Sequence, residues 1–234
     1  MSNYTNKTLK KIKRLEEKYK MNGHKGTPDH IDKVDMFGFC PVIISAPHSV
    51  KHIRDGYMKQ HEFYTGAIAE YIAEKLGCAY ITKQGVEETH RNDDPNYETA
   101  NDSTYKKAIK EYIDKNRCNM FIDIHGLSGD KDSVMDICID DGRNTHGTTL
   151  LYEIEGMVDG TFGDKAVTID KYYKADKPNV LAKWVSSIYD IPAIELEING
   201  KYRWFEDGCE EESIKLLDTL CDSIKFWAKH TLEY

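Results

Sequence analysis

Met120-Phe121-Ile122-Asp123-Ile124-His125-Gly126 reads as a buried strand that carries an acid inward and ends on a histidine. Apolar residues flank Asp123 on both sides, the pattern of a strand covered on both faces. Aspartate is rare in such a place unless it is paired. Residues two apart on a strand share a face, so Asp123 and His125 point the same way. Pro41-Val42-Ile43-Ile44-Ser45-Ala46-Pro47-His48-Ser49 repeats the shape, an apolar run ending in a histidine at a turn. Two strands that each deliver a histidine at the carboxyl end read as two arms of one metal site.

Outward from these runs, strands and helices alternate. The patterns predict strands over 40–45, 78–82, 120–125, 134–139, 165–173 and 192–199. They predict helices over 7–19, 61–76, 103–116, 148–157, 179–188 and 210–229. Tyr64, Ala67, Ile68, Tyr71, Ile72 and Leu76 make the apolar face of the second helix, and Gly77 stops it. Glu62 falls in its expected first turn, where the helix dipole favours an anion. The alternation predicts an α/β fold, a three-layer sandwich of a mostly parallel or mixed sheet with helices on both faces. One domain spans 1–234, with a basic helix and loop over 1–35 as an N-terminal extension. The lysines of that first helix read as a solvated face, or as a phosphate or membrane-surface patch on a thin apolar stripe. The segment 84–100, with His90-Arg91-Asn92-Asp93-Asp94-Pro95-Asn96-Tyr97, is too long and polar for a mere connection and reads as functional.

Composition narrows the function. Forty acidic residues against 32 basic ones give a net charge of −8, which argues against nucleic acid as a partner. No apolar run approaches the roughly 20 residues that span a bilayer, and the N-terminus lacks the core of a signal peptide. The expectation is a cytoplasmic protein without a membrane partner. The six cysteines form no C-x-x-C pair, so they read as small buried hydrophobes rather than disulfides or zinc ligands.

A hydrolytic zinc takes three protein ligands and keeps one position for water. His48 and His125 are the nitrogen ligands. Glu62 is the first choice for the third, with Asp55 and Glu87 behind it. Asp123 orients His125 or ligates directly. Ile194-Glu195-Leu196-Glu197-Ile198-Asn199 puts both glutamates on one face. Either one can act as a general base, unless the strand is an exposed edge with solvated acids. Arg91, Arg143 and Arg203 are loop arginines suited to clamp a carboxylate or an oxyanion, although each alone reads as a surface residue.

Ser45-Ala46-Pro47-His48-Ser49, then His61-Glu62, Asp123-Ile124-His125-Gly126 and Leu196-Glu197-Ile198-Asn199 resemble, in order, the motifs of the N-formylglutamate amidohydrolase family. The resemblance covers roughly residues 40 to 205. It implies the zinc carboxypeptidase-like fold, shared with the aspartoacylases. It implies one zinc, or another divalent ion, on His48, Glu62 and His125, with Glu197 as catalytic base. Arg91-Asn92 stands where the family has an Asn-Arg pair, in reversed order, and implies a catalytic arginine and a substrate-binding asparagine. Glu195, Arg143 and Arg203 complete the expected substrate contacts. The implied substrate is a small acidic N-acyl amino acid, cleaved at a linear non-peptide amide. A peptidase on peptide or cell-wall termini and a non-catalytic binding protein are the alternatives.

Overall fold

The computed structural model describes residues 3–28 and 30–231. The elements are α1 (Asn3–His24), β1 (Asp35–Met36), β2 (Cys40–Ala46), β3 (His52–Arg54), β4 (Tyr57–Lys59), α2 (Thr65–Leu76) and β5 (Cys78–Thr82). They continue with α3 (Thr104–Lys115), β6 (Met120–Leu127), β7 (Met135–Cys138), α4 (Leu150–Phe162) and β8 (Val167–Ile169). α5 (Leu181–Tyr189), β9 (Ala193–Asn199), a 3-10 turn (Gly200–Tyr202) and α6 (Glu210–Thr231) complete the chain. Seven strands form one sheet in the order β1-β5-β2-β6-β9-β7-β8. β5, β2, β6 and β9 run parallel, β7 pairs antiparallel to β9 and parallel to β8, and β1 is antiparallel to β5. The sheet is therefore mixed.

Period-two alternation sorts each central strand between two cores. Val42, Ile44, Ile122, Ile124, Ile194, Leu196 and Ile198 pack with α2, α4 and α6. Ile43, Phe121 and Ala193 face the other way, against Tyr105 and Ile109 of α3 and Leu181 and Val185 of α5. This is the three-layer α/β sandwich expected from the sequence. Asp123, His125, Glu195 and Glu197 continue the α3/α5 face past its apolar part, toward the carboxyl ends of β6 and β9. Open α/β sheets place their sites there. No described helix is long and apolar enough to cross a membrane.

Two local expectations need correction. The second helix begins at Thr65, not at 61, because Tyr64 takes the left-handed conformation (φ 64°) and cannot continue a helix backward. Glu62 thus lies ahead of the helix, and its N–H donates to the His48 carbonyl (2.8 Å). Glu62 does not occupy the first turn of α2. The strand foreseen over 165–173 pairs only from Val167 to Ile169. Asp170 (φ 49°) turns the chain, and the buried Asp136 carboxylate then accepts the N–H groups of Lys171, Tyr172 and Tyr173. The loop after His48 contains the β3–β4 hairpin, closed by Asp55-Gly56 at positive φ, a sequence that favours such turns.

Gly66 sets how closely α1, α2 and the turn after β2 approach. A Cβ there would lie 2.5 Å from the Tyr19 ring and 2.6 Å from Ser49 Cβ. In an open helix Gly66→Ala would stabilise by about 1 kcal/mol. Here the overlap with two buried neighbours wins, and we expect a net loss of about 1–2 kcal/mol. A urea midpoint that rises in this variant contradicts the packing described.

Candidate metal centre

Three segments meet at the carboxyl end of the sheet. The turn after β2 carries His48, the approach to α2 carries Glu62, and β6 carries Asp123 and His125. The Glu62 carboxylate sits between the two rings, with Oε1 3.0 Å from His48 Nδ1 and Oε2 3.4 Å from His125 Nδ1. Oε2 also accepts the Gly126 N–H (2.8 Å). The ring centroids lie 4.7 Å apart at 76°. One ligand atom from each of His48, Glu62 and His125 lies within 4.8 Å of the others.

The outer nitrogens are also engaged. His48 Nε2 is 3.1 Å from Asp94 Oδ1, and His125 Nε2 is 3.1 Å from Asp123 Oδ2. A histidine that binds metal through one nitrogen commonly holds the other against a carboxylate. Two Nδ1 atoms and a carboxylate converge inward while two further carboxylates support the rings, so the donor set fits a divalent ion. Asp123 Oδ1 and Glu197 Oε2 are buried beside it with no hydrogen-bond partner.

Charge is balanced by protons in this form. Burial opposes a charge on His48, but Glu62 and Asp94 outweigh it and hold the ring up to about 9. Burial opposes charging of His125 as well, and Asp123, Glu62 and Glu195 raise it well above the usual range. Desolvation opposes the charge of Glu62, but this partly buried acid is held well below the carboxylate range by His48 and His125. His52 stacks on His48 at 4.2 Å and also approaches Asp94 (3.5 Å). Burial, then the charge of His48, pushes it down to about 3.

β9 runs between β6 and β7, so Glu195 and Glu197 are buried rather than solvated on an edge. They lie in register with Asp123 and His125 respectively. Burial pushes Glu195 up to about 7 and Glu197 up to about 8. Glu195 Oε2 lies 3.9 Å from His125 Nε2.

The arginines divide. Arg203 is fixed by the carbonyls of Ile198 (3.1 Å) and Phe63 (2.7 Å), and its charge is felt at Glu62 and Glu197. It crosses so near Gly126 that a Cβ there would lie 2.6 Å from Nη2. Arg91 is exposed and lines a cavity of about 600 Å³ with Tyr97 and Lys107, on the outer side of the 84–100 loop. Asn92 spends its side chain on the Asp55 N–H (2.6 Å). Arg143 pairs with Asp140 and Asp141. Asp55 accepts from Tyr97 and Glu87 pairs with His90, so neither joins the histidines.

Sequence reading missed Asp94, Asn96, His52 and Arg54. Asp94 is fully buried and is shared by His48 and Arg54 Nε (2.7 Å). Asn96 is oriented by the Leu181 N–H (2.8 Å) and sets Nδ2 3.0 Å from His125 Nε2. It competes with Asp123 for that nitrogen, because Nε2 donates to the acid only when it carries the proton. The unusual polarity of the loop was the one available signal.

No protein-family model matches the chain, and neither does any curated protein. Among solved structures, a bacteriophage poly-gamma-glutamate hydrolase is similar at 12% identity and a TM-score of 0.52, covering 86% of this chain and 91% of that one. A gene product of Agrobacterium tumefaciens is similar at 12% identity and 0.52, covering 84% and 95%. A metallo-carboxypeptidase from Burkholderia cenocepacia aligns more weakly, at 13% identity and 0.46, over 98% and 69%. At such identities the likeness of the first two is one of fold.

Removing the acid behind a liganding histidine typically costs 10–100-fold in metal affinity, so Asp94→Asn is expected to weaken zinc binding by about that factor in a chelator competition. Affinity is also expected to rise with pH. His48 keeps its proton to about 9 and must lose it to bind. A dissociation constant that stays flat from about pH 6 to about pH 9 contradicts binding through these nitrogens.

Proposed function

We propose that the chain is a zinc-dependent hydrolase that cleaves the linear amide of a small N-acyl amino acid, of the N-formylglutamate type. One observation carries the reading. Glu197, buried and ionisable, has an oxygen without a partner and stands in register with His125 beside the three-donor cluster. A buried carboxylate left unsatisfied costs stability, so its place calls for a task.

In this reading His48, Glu62 and His125 hold the ion, and Asp94 and Asp123 fix the two imidazoles. A divalent ion held there would supply a water with its pKa lowered to about 7 and a Lewis acid for the scissile carbonyl. Glu197 accepts the water's proton and returns it to the leaving nitrogen. Its raised affinity for protons suits the second half of that shuttle, and a nearby cation favours the ionised form needed for the first. Arg203 is the arginine placed to feel charge developing near Glu62 and Glu197, and it is assigned to the oxyanion or to a substrate carboxylate. Arg91, Asn92 and Arg143 have other partners or positions and take no part.

Glu197→Gln is expected to keep one zinc per chain and to lose turnover by about 10²–10⁴-fold. Full activity in that variant excludes the assignment. A panel of N-acyl amino acids against peptides and cell-wall fragments separates the amidohydrolase from a peptidase using the same groups. Bound zinc with no hydrolysis anywhere in the panel indicates a binding protein.

A further inference from the structure

The basic N-terminal helix has no place in the chemistry above, yet its inner face lies against the segment that carries Glu62. Ile12, Glu16 and Tyr19 of α1 are buried to within 1%. Three of its lysines are paired with acids. Lys11 pairs with Glu74, Lys18 with Glu70 (2.5 Å) and Lys20 with Glu206 (3.2 Å).

Glu16 and Tyr19 of α1, and His24 beyond a break in the helix at Met21, Asn22 and Gly23, touch the polypeptide from 61 to 66. Glu16 Oε1 accepts the Tyr64 N–H (3.1 Å). Tyr19 packs on Gly66 and donates to Thr82 Oγ1 (2.9 Å) at the end of β5. His24 stacks on His61, centroids 3.8 Å apart, and its carbonyl accepts the Lys51 N–H (2.8 Å).

The Glu16 contact is the pointed one. Tyr64 is a bulky residue at φ 64°, and its side chain makes no capping bond to α2. The left-handed turn leaves its N–H facing the interior, two residues from Glu62. An orphaned buried N–H is costly, and Glu16 is the acceptor that meets it. Glu16 Oε2 has no hydrogen-bond partner, so the side chain is held there for one bond. Arg203 donates to the neighbouring Phe63 carbonyl (2.7 Å).

We infer that α1 is a buttress of the metal centre and that Glu16 is a positioning residue for Glu62, acting through the Tyr64 N–H. The inference rests on Glu62 being a metal ligand, but its geometric half does not need the metal. Two measurements on the full chain separate the two. In metal-free protein, Glu16→Leu is expected to speed amide hydrogen exchange in the 62–66 segment about tenfold or more, while Glu16→Gln, which keeps an acceptor oxygen, stays near wild type. In chelator competition, zinc affinity is expected to fall by a similar factor in Glu16→Leu and to recover in Glu16→Gln. Unchanged exchange in the segment overturns the inference. Faster exchange with unchanged zinc affinity also overturns it, because Glu16 would then be purely structural. A wild-type chain that binds no zinc instead removes the ligand reading of Glu62, with the exchange result standing on its own. Should Glu16→Leu not fold, Glu16→Ala is read in the same two assays.

Discussion

The carboxylate of Glu62 between two imidazoles is the contact on which the rest of this end of the molecule depends. It ties the exit of β2 to the exit of β6 and brings the approach to α2 onto both. A lone buried carboxylate would be driven to its neutral form. Here two ring protons keep it charged. A dication that replaces those two protons leaves the net charge of the group unchanged. The charge of the group is therefore compatible with either two protons or a dication.

The sheet makes this possible through register rather than through any single loop. β6 and β9 are parallel neighbours, so Asp123 lies beside Glu195 and His125 beside Glu197, and β7 sets Asp136 beside Glu197. One face of the sheet thus changes from apolar to ionisable within two residues along each strand. Below that line α3 and α5 cover it with Tyr105, Ile109, Leu181 and Val185. Above it the 84–100 loop takes over. Lys106, wholly buried, bonds the carbonyls of Glu98 and Asn179 (2.7 Å each) and so binds that loop to the start of α5.

Period-two and helical patterns made most of this legible. The strands at 40–45, 120–125 and 192–199 appear within two residues of their expected ends, and the histidines and glutamates they carry do converge. What failed depended on conformation or burial that no spacing encodes. The left-handed Tyr64 moved the start of α2 and left Glu62 outside the helix. In the polar loop, Asp94 and Asn96 reach the histidines, whereas Arg91 is exposed and Asn92 and Tyr97 bond Asp55. Nothing local distinguishes Asp94 from Asp93, whose carboxylate serves the backbone of Ile53 and Glu87.

Buried acids at this end of the sheet can be sorted by what they receive. Asp136 is fully buried and accepts the Thr168 hydroxyl and three successive N–H groups, so folding alone accounts for it. Asp93 is accounted for in the same way. Asp123 and Glu197 are just as hidden, yet each keeps an oxygen with no partner. Had selection acted only on stability, apolar residues of similar size would serve better at both positions. Asp123 bonds His125 through one oxygen, and Glu197 stands beside His125 in the register. They are simply explained as groups whose missing partner is a cation, a water or a substrate.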